Sequence, residues 1–263
     1  MSEPVFSDAE LAELARAAHA IARAAGRVVM DIYAGDFRVQ EKADATPVTD
    51  ADHEAEALIL PRLAALTPDI PVISEEAAAK GLLPERIGNT FWAVDPLDGT
   101  REFVARSGEF AVCIGLIVSG HAVAGALFGP ALGLGYYGAP DGAYRCQGDG
   151  EGERIASRTA PSEGLTVIGS RSHGSSRKVA AFLEDKTVAA RRVMGSAIKF
   201  GLLADGSADV YPRFGPTSEW DTAAGHAILR AAGGCVRALD GTELAYGKHD
   251  YLNSGFIAWG RAP

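Results

Sequence analysis

The feature that most limits this chain is an apolar run ending in two acids that flank a proline. Phe91-Trp92-Ala93-Val94 is aromatic and β-branched and reads as a buried strand, and Asp95-Pro96-Leu97-Asp98-Gly99-Thr100 follows it directly. Pro96 and the Asp98-Gly99 pair are predicted to turn the chain out of the sheet, which leaves both carboxylates at the strand's end. Across that rigid step Asp95, Asp98 and the Leu97 carbonyl between them can converge on hard cations, which take oxygen ligands. If Thr100 opens a short helix, the amides of Gly99 and Thr100 form a phosphate seat beside the acids. Asp-Pro and Asp-Gly are also ordinary turn dipeptides, so on this stretch alone a solvated turn and a metal site stand side by side.

With 263 residues, 47% hydrophobic and 22% charged, the chain can build one large or two modest cores and enclose a site. No basic-then-apolar leader opens it, and Gly, Pro or charge interrupts every apolar run short of about 18 residues, so a cytoplasmic protein without an integral membrane segment is expected. Cys113, Cys146 and Cys235 have no paired spacing, which fits reduced thiols and argues against a disulfide framework or a zinc ribbon; Cys113 and Cys235 read as core. A net charge of −9 argues against nucleic acid or an anionic membrane as a general partner. An anionic substrate then needs metal ions or a local basic pocket.

In chain order, Ser7-Asp8-Ala9-Glu10 has capping-box spacing and opens a helix with Leu11, Leu14, Ala18, Ile21, Ala25, Val28 and Ile32 on one face, closed by Gly35. Thr49 to Leu66 reads as a second helix that Pro61 should kink or split, and Lys42 upstream reads as a solvated loop lysine. Val72-Ile73 is a strand that delivers Glu75 and Glu76 at its end. Phe110–Val118, His121–Phe128, Leu134–Tyr137 and Ala143–Cys146 read as an antiparallel meander packed on the first two helices, and Gly148–Glu153 as an exposed turn. Beyond it strands at Leu165–Gly169, Val188–Val193, Ala208–Tyr211, Cys235–Ala238 and Phe256–Trp259 alternate with helices at Ser175–Leu183, Ser196–Ala204 and Glu219–Ala232, an α/β pattern. Two halves are expected, residues 1–152 and 153–263, with the site in the cleft between them.

Three segments in order and at compatible spacing, Ser74-Glu75-Glu76, Trp92 to Thr100 and Trp220-Asp221-Thr222-Ala223-Ala224-Gly225, resemble the signature of the inositol monophosphatase superfamily of lithium-sensitive, magnesium-dependent phosphomonoesterases. The resemblance covers most of the chain. It implies an α/β (α+β) fold in α/β/α/β/α layers, and two or three Mg²⁺ ions held by Glu75, Asp95, Asp98, Asp221 and the Leu97 carbonyl. Glu76 would support Glu75 or face solvent. Pro47-Val48-Thr49-Asp50-Ala51-Asp52 resembles the family's helix start whose last acid faces the metals, although Thr49 and Asp52 also make a plain capping box. Asp221 likewise suits a helix N-terminus without any metal. In the family's mechanism the hydroxyl matching Thr100 and the acids matching Glu75 and Asp52 orient and deprotonate the attacking water, with no phosphoenzyme. The phosphate would meet Glu75, Leu97, Asp98, Gly99, Thr100 and Asp221.

Arg101-Glu102-Phe103, Ser170-Arg171-Ser172-His173, the run from Met194 to Phe200 and that from Tyr211 to Thr217 narrow the resemblance to the 3'(2'),5'-bisphosphate nucleotidase branch. A substrate with two phosphates needs a second anion site, which Lys199 and Arg213 can supply through charge-assisted hydrogen bonds and Gly195 and Ser196 through amides. His173 is a candidate contact to ribose or base, Arg171 a weaker one. The implied reaction is hydrolysis of 3'-phosphoadenosine 5'-phosphate, or 3'-phosphoadenylyl sulfate, in sulfate assimilation; inositol monophosphatase or fructose bisphosphatase activity is the alternative within the superfamily. Of other classes, an aspartyl-phosphate phosphatase places nucleophile and acid two residues apart, whereas Asp95 and Asp98 stand three apart. A non-catalytic nucleotide- or metal-binding protein is the remaining rival. No Walker loop, dinucleotide fingerprint, nucleophile elbow or zinc helix motif is present.

Overall fold

Helix α1 (Asp8–Ala34) opens on its capping box: Ser7 Oγ accepts the Glu10 amide at 3.3 Å and Glu10 Oε2 accepts the Ser7 amide at 2.7 Å. The computed structural model describes residues 6–42, 46–84, 87–171 and 176–261. After α1 two three-residue strands, β1 (Val39–Glu41) and β2 (Pro47–Thr49), pair antiparallel and lead into α2 (Asp50–Leu66). This hairpin has no alternating pattern to announce it. Contrary to expectation, α2 runs unbroken through Pro61. Pro61 and Ala57, whose carbonyl loses its donor, are both exposed, so water can take the place of the missing amide.

The chain continues through β3 (Val72–Ser74), α3 (Glu75–Ala79), β4 (Thr90–Asp98), α4 (Thr100–Val104), β5 (Ala111–Val118), β6 (His121–Gly129), β7 (Leu134–Ala139), β8 (Gly142–Gln147) and β9 (Glu153–Ile155). Strands β3 to β9 form one seven-stranded sheet in sequence order. The meander is antiparallel as predicted, and β3 adds a parallel edge beside β4. The remaining elements are β10 (Leu165–Ser170), α5 (Ser176–Phe182), β11 (Val188–Met194), α6 (Ile198–Ala204), β12 (Val210–Arg213), β13 (Thr217–Ser218), α7 (Ala223–Ala231), β14 (Cys235–Ala238), β15 (Leu252–Asn253) and β16 (Phe256–Trp259). A five-stranded sheet has the order β11-β10-β12-β16-β14, and β13 pairs with β15 alone. Helices α6 and α7 start later than predicted, because Ser196 has φ +50° and Glu219 is spent on loop contacts described below.

Period-2 alternation stacks these elements into five layers. On β4, Trp92 and Val94 face a core shared with α1 and α2, while Phe91 and Ala93 face a second core shared with α6, α7 and the smaller sheet. Leu165, Val167 and Val210 on the far side of the smaller sheet pack against Val179, Phe182 and Leu183 at α5. The order α/β/α/β/α is the layering expected. Helix α7 crosses the large sheet where Gly115 and Gly125 sit opposite each other on β5 and β6. A β-carbon on Gly115 would lie 2.6 Å from the Ala224 nitrogen and 2.7 Å from Ala223 Cβ. Close packing of small residues thus fixes α7, and with it the loop before it.

Two histidines are sealed in this frame. His19 is held down to about 4 by burial and then by Arg23, and His226 to about 3 by burial, then Arg230 and His121. Both stay neutral when folded, so the unfolded chain takes up protons that the folded one refuses, and their contribution to stability is lost as pH falls below about 6.5. The raised acids of the site act in the opposite sense, so a comparison isolates the effect. His19→Leu should gain on the wild type by about 2 kcal/mol between pH 7 and pH 5, roughly 4–8 °C in Tm. A constant Tm difference across that range would show that His19 takes up its proton in the folded protein.

Candidate active site

The end of β4 is bent by its own register. Asp95 lies opposite Cys113 and Asp98 opposite Ala111, so Pro96 and Leu97 together face Val112 in a β-bulge. In an unbroken strand residues three apart point to opposite faces; the extra residue brings Asp98 round to the side of Asp95. Pro96 sits where the ladder is interrupted and a missing amide costs least. The predicted turn at Pro96 is therefore corrected: the strand continues to Asp98 and the chain turns at Gly99, at φ +93°, where a β-carbon would lie 3.1 Å from the Glu109 carbonyl. Thr100 then opens α4, as expected. The Leu97 amide donates to Asp95 Oδ1 at 2.9 Å, and the Leu97 carbonyl accepts the Thr100 hydroxyl at 3.1 Å.

Parallel pairing of Ser74 with Val94 sets Glu75, the first residue of α3, beside Asp95. Asp221 arrives from the other sheet's side, its Oδ2 accepting the Ser218 amide at 2.9 Å. Glu75, Asp95 and Asp221 bring one carboxylate oxygen each to within 4.8 Å of one another. Asp98 stands next to this trio, with its Oδ2 accepting the Ala197 amide. Asp95 is pushed well above the carboxylate range by burial and then by Glu75, Asp98 and Asp221; Asp221 is pushed up by burial, Asp98 and Glu75. Burial also holds Asp98 up at about 6, against the pull of Lys199 and the Ala197 amide. The trio contains no imidazole or thiolate, and crowded carboxylate oxygens of this kind suit a hard divalent cation.

Asp52 serves both of its readings at once. Its Oδ2 closes the capping box, accepting the Thr49 amide and hydroxyl at 2.7 Å each, while its Oδ1 accepts the Thr100 hydroxyl at 3.2 Å. Burial holds it at about 6, opposed by the Thr49 hydrogen bonds and assisted by the charge of Glu75. Glu76 does not face solvent, and Lys42 is not a solvated loop lysine: the Lys42 ammonium lies 2.6 Å from Glu75 Oε1 and 2.5 Å from buried Glu76 Oε1. Burial alone would lower the Lys42 pKa, and the charges and hydrogen bonds of Glu75 and Glu76 override it and raise it.

Three supports were not singled out from sequence. Buried Glu56 accepts the Ser74 hydroxyl at 2.5 Å and the Ala77 amide at 3.1 Å, bracing the strand end that carries Glu75; its place one turn after Asp52 was the available signal. Glu219, fully buried, accepts the amides of Gly247 and Lys248 at 2.8 and 3.0 Å. Asn253 Nδ2 donates to the Thr222 hydroxyl at 2.9 Å and the Ser218 carbonyl at 3.1 Å, so both hold the loop that presents Asp221.

A cavity of about 460 Å³ is lined by Glu75, Asp95, Asp98 and Asp221 together with Ser196, Lys199, Tyr211 and Arg213. Lys199 is buried, donates to the carbonyls of Met194 (3.2 Å) and Ser196, and lies 5.2 Å from the centre of the Tyr211 ring. Burial lowers it to about 8, against the charge of Asp98. Arg213 Nη2 donates to the Pro216 carbonyl at 2.9 Å. The Gly195 amide is already given to Glu109 Oε2 at 2.7 Å, which corrects its place among the anion donors, and Arg171 is engaged by Glu109 in a two-pronged pair at 2.6 and 2.9 Å. His173 lies outside the described residues.

The model of the inositol monophosphatase family matches residues 10–261. A 3'(2'),5'-bisphosphate nucleotidase CysQ of Salmonella typhimurium is 43% identical over 239 residues, 90% of this chain and 95% of that protein. Its namesake of Buchnera aphidicola is 40% identical over 243 residues, 90% of each chain. The crystal structure of CysQ from Bacteroides thetaiotaomicron superposes with a TM-score of 0.78 at 36% identity, over 95% of this chain and 98% of that one. A family match over nearly the whole length, carried by the same fold and by acids gathered at the strand ends, leaves one conclusion: the chain belongs to the inositol monophosphatase family.

Proposed function

We propose that the protein hydrolyses 3'-phosphoadenosine 5'-phosphate, and 3'-phosphoadenylyl sulfate, to AMP or adenylyl sulfate and phosphate, acting in the cytoplasm. The observation that carries the reading is one cavity lined both by acids from three separated elements and by Lys199 and Arg213. The likeness to the nucleotidases of Salmonella typhimurium and Buchnera aphidicola supports it. Glu75, Asp95, Asp98, Asp221 and the Leu97 carbonyl would hold two or three Mg²⁺ ions. Bound there, magnesium neutralises the acids, polarises the phosphate and activates water.

The chain's own groups do the rest. The Thr100 oxygen takes a proton from the attacking water as its own hydroxyl proton passes to Asp52 Oδ1, 3.2 Å away, so that the net transfer is from water to Asp52; Glu75 orients the same water. Gly99 and Thr100, which line the same cavity, would offer their backbone to the phosphate. Lys199, Arg213 and Ser196 bind the second phosphate, and the Lys199 ammonium is kept in place by the carbonyls it already meets.

Purified protein with Mg²⁺ should prefer 3'-phosphoadenosine 5'-phosphate over inositol 1-phosphate in kcat/KM by roughly 10- to 100-fold, the worth of one charged contact to the second phosphate, and should also prefer it over fructose 1,6-bisphosphate, whose two phosphates are spaced differently. Lithium should inhibit, and a chelator should stop turnover. Preference for either sugar ester would move the protein to another branch of its family.

A further inference from the structure

Four basic side chains line the cavity, those of Lys42, Arg101, Lys199 and Arg213. Three of them are engaged. Lys42 is held by Glu75 and Glu76, Lys199 by the carbonyls of Met194 and Ser196, and Arg213 by those of Gly215 and Pro216. Among the described residues Arg101 alone of the four gives its side chain to no hydrogen bond or ion pair. Its backbone is fixed nonetheless: it is the second residue of α4, its carbonyl accepts the Ala105 amide at 2.9 Å, and Phe103 beside it is buried. An exposed guanidinium thus stands on a held backbone at a cavity lined by Glu75, Asp95, Asp98 and Asp221, and pairs with none of them. A cation kept unpaired at such a place is available to an anion that comes from outside.

Which anion it meets follows from where it stands in the chain. Arg101 directly follows Thr100, on the segment that also carries Asp95 and Asp98, whereas Lys199 and Arg213 come from α6 and β12. It therefore belongs with the groups that handle the ester being cut and not with those that bind the second phosphate. A guanidinium is a planar fork of N–H donors that spans two oxygens of one phosphoryl group. In phosphoryl transfer the charge spreads over the non-bridging oxygens, so a fork facing them helps both to bind the ester and to cleave it. Resting on the phosphatase reading above, we propose that Arg101 closes its guanidinium over the transferred phosphoryl group, donating hydrogen bonds to two non-bridging oxygens, and then holds the phosphate ion released. Water reaches this side chain, which limits its worth to that of charge-assisted hydrogen bonds and leaves the fold independent of it.

The test compares wild type, Arg101→Gln and Arg101→Lys in kcat/KM on adenosine 3',5'-bisphosphate and on adenosine 3'-monophosphate, and in inhibition by inorganic phosphate with Mg²⁺ present. Arg101→Gln should lower kcat/KM by roughly 10- to 100-fold and by the same factor on both nucleotides, since both carry the group that is transferred. Inhibition by phosphate should weaken by a similar factor, and Arg101→Lys should recover part of each loss, as a point charge without the fork. A loss confined to the bisphosphate would put Arg101 at the second phosphate and overturn the proposal. So would a loss that vanishes in about 1 M salt with phosphate inhibition unchanged, the mark of a charge that only steers the substrate in. Wild type inert on both nucleotides but active on inositol 1-phosphate would bring down the nucleotidase reading alone, and the same comparison on that ester then decides the role of Arg101. Inactivity on all three would bring down the phosphatase reading, and the role of Arg101 with it.

Discussion

Asp95→Asn should cut phosphate release by roughly 10³-fold or more and, in the same protein, raise the melting temperature measured with the metal removed. The two effects have one cause. Asp95 shares a space under 4.8 Å wide with Glu75 and Asp221, and two like charges at that separation repel by about 3 kcal/mol at an effective dielectric near 20. Burial first, and then the charges of Glu75, Asp98 and Asp221, push its pKa up. Asn keeps the shape and an oxygen for the Leu97 amide, so the packing of β4 survives while one charge goes. Partial protonation relieves some of the repulsion in the wild type, which leaves a gain of roughly 1–3 kcal/mol, or several degrees for a chain of this size. Added Mg²⁺ should raise the wild-type Tm much more than that of the variant. Melts with chelator and with Mg²⁺, beside a phosphate-release assay, decide it. A variant that melts lower than wild type without metal would mean that the carboxylate holds the fold and not a cation.

Gly125→Ala should weaken fold and activity together from a position behind the site. Its β-carbon would fall 2.9 Å from Ala224 Cα and 3.0 Å from the Ala224 carbonyl carbon, and closer still to that carbonyl's oxygen. Backbone in the first turn of α7 cannot swing aside as a side chain can, so the start of the helix must shift. Overpacking of this kind costs about 1–3 kcal/mol, roughly 3–10 °C here. The shift also reaches Asp221, two residues before α7, which then leaves Glu75 and Asp95. Since a misplacement of about 1 Å costs on the order of 10²-fold in rate, kcat should fall far more than the loss of folded protein at assay temperature explains. Tm and the kcat of the folded fraction measure the two separately; a lower Tm with unchanged kcat would uncouple α7 from the site.

Much of this was legible because local pattern and tertiary role agreed. The alternation of Phe91, Trp92, Ala93 and Val94 serves two cores at once, and the apolar run before Asp95 marks where a strand end must be. What stayed hidden depends on partners distant in sequence. The bulge that aligns Asp98 with Asp95 is set by the register against β5. Lys42 meets acids 33 and 34 residues further on, from a hairpin whose first strand is wholly exposed and carries no pattern. Glu109 captures the Gly195 amide across 86 residues, so a donor free in the sequence is engaged in the fold. Pro61 failed to break α2 because its solvent-facing side tolerates the loss of one hydrogen bond, a matter of burial that propensity alone does not carry.

Anomalous diffraction from crystals soaked with Mn²⁺ and AMP would locate cation and product in one experiment. The expected result is metal density within about 2.0–2.2 Å of oxygens from Glu75, Asp95 and Asp221, with the ribose and 5'-phosphate of the product extending towards Lys199 and Arg213. Metal bound elsewhere, or a nucleotide seated outside the cavity that joins these residues, would contradict it.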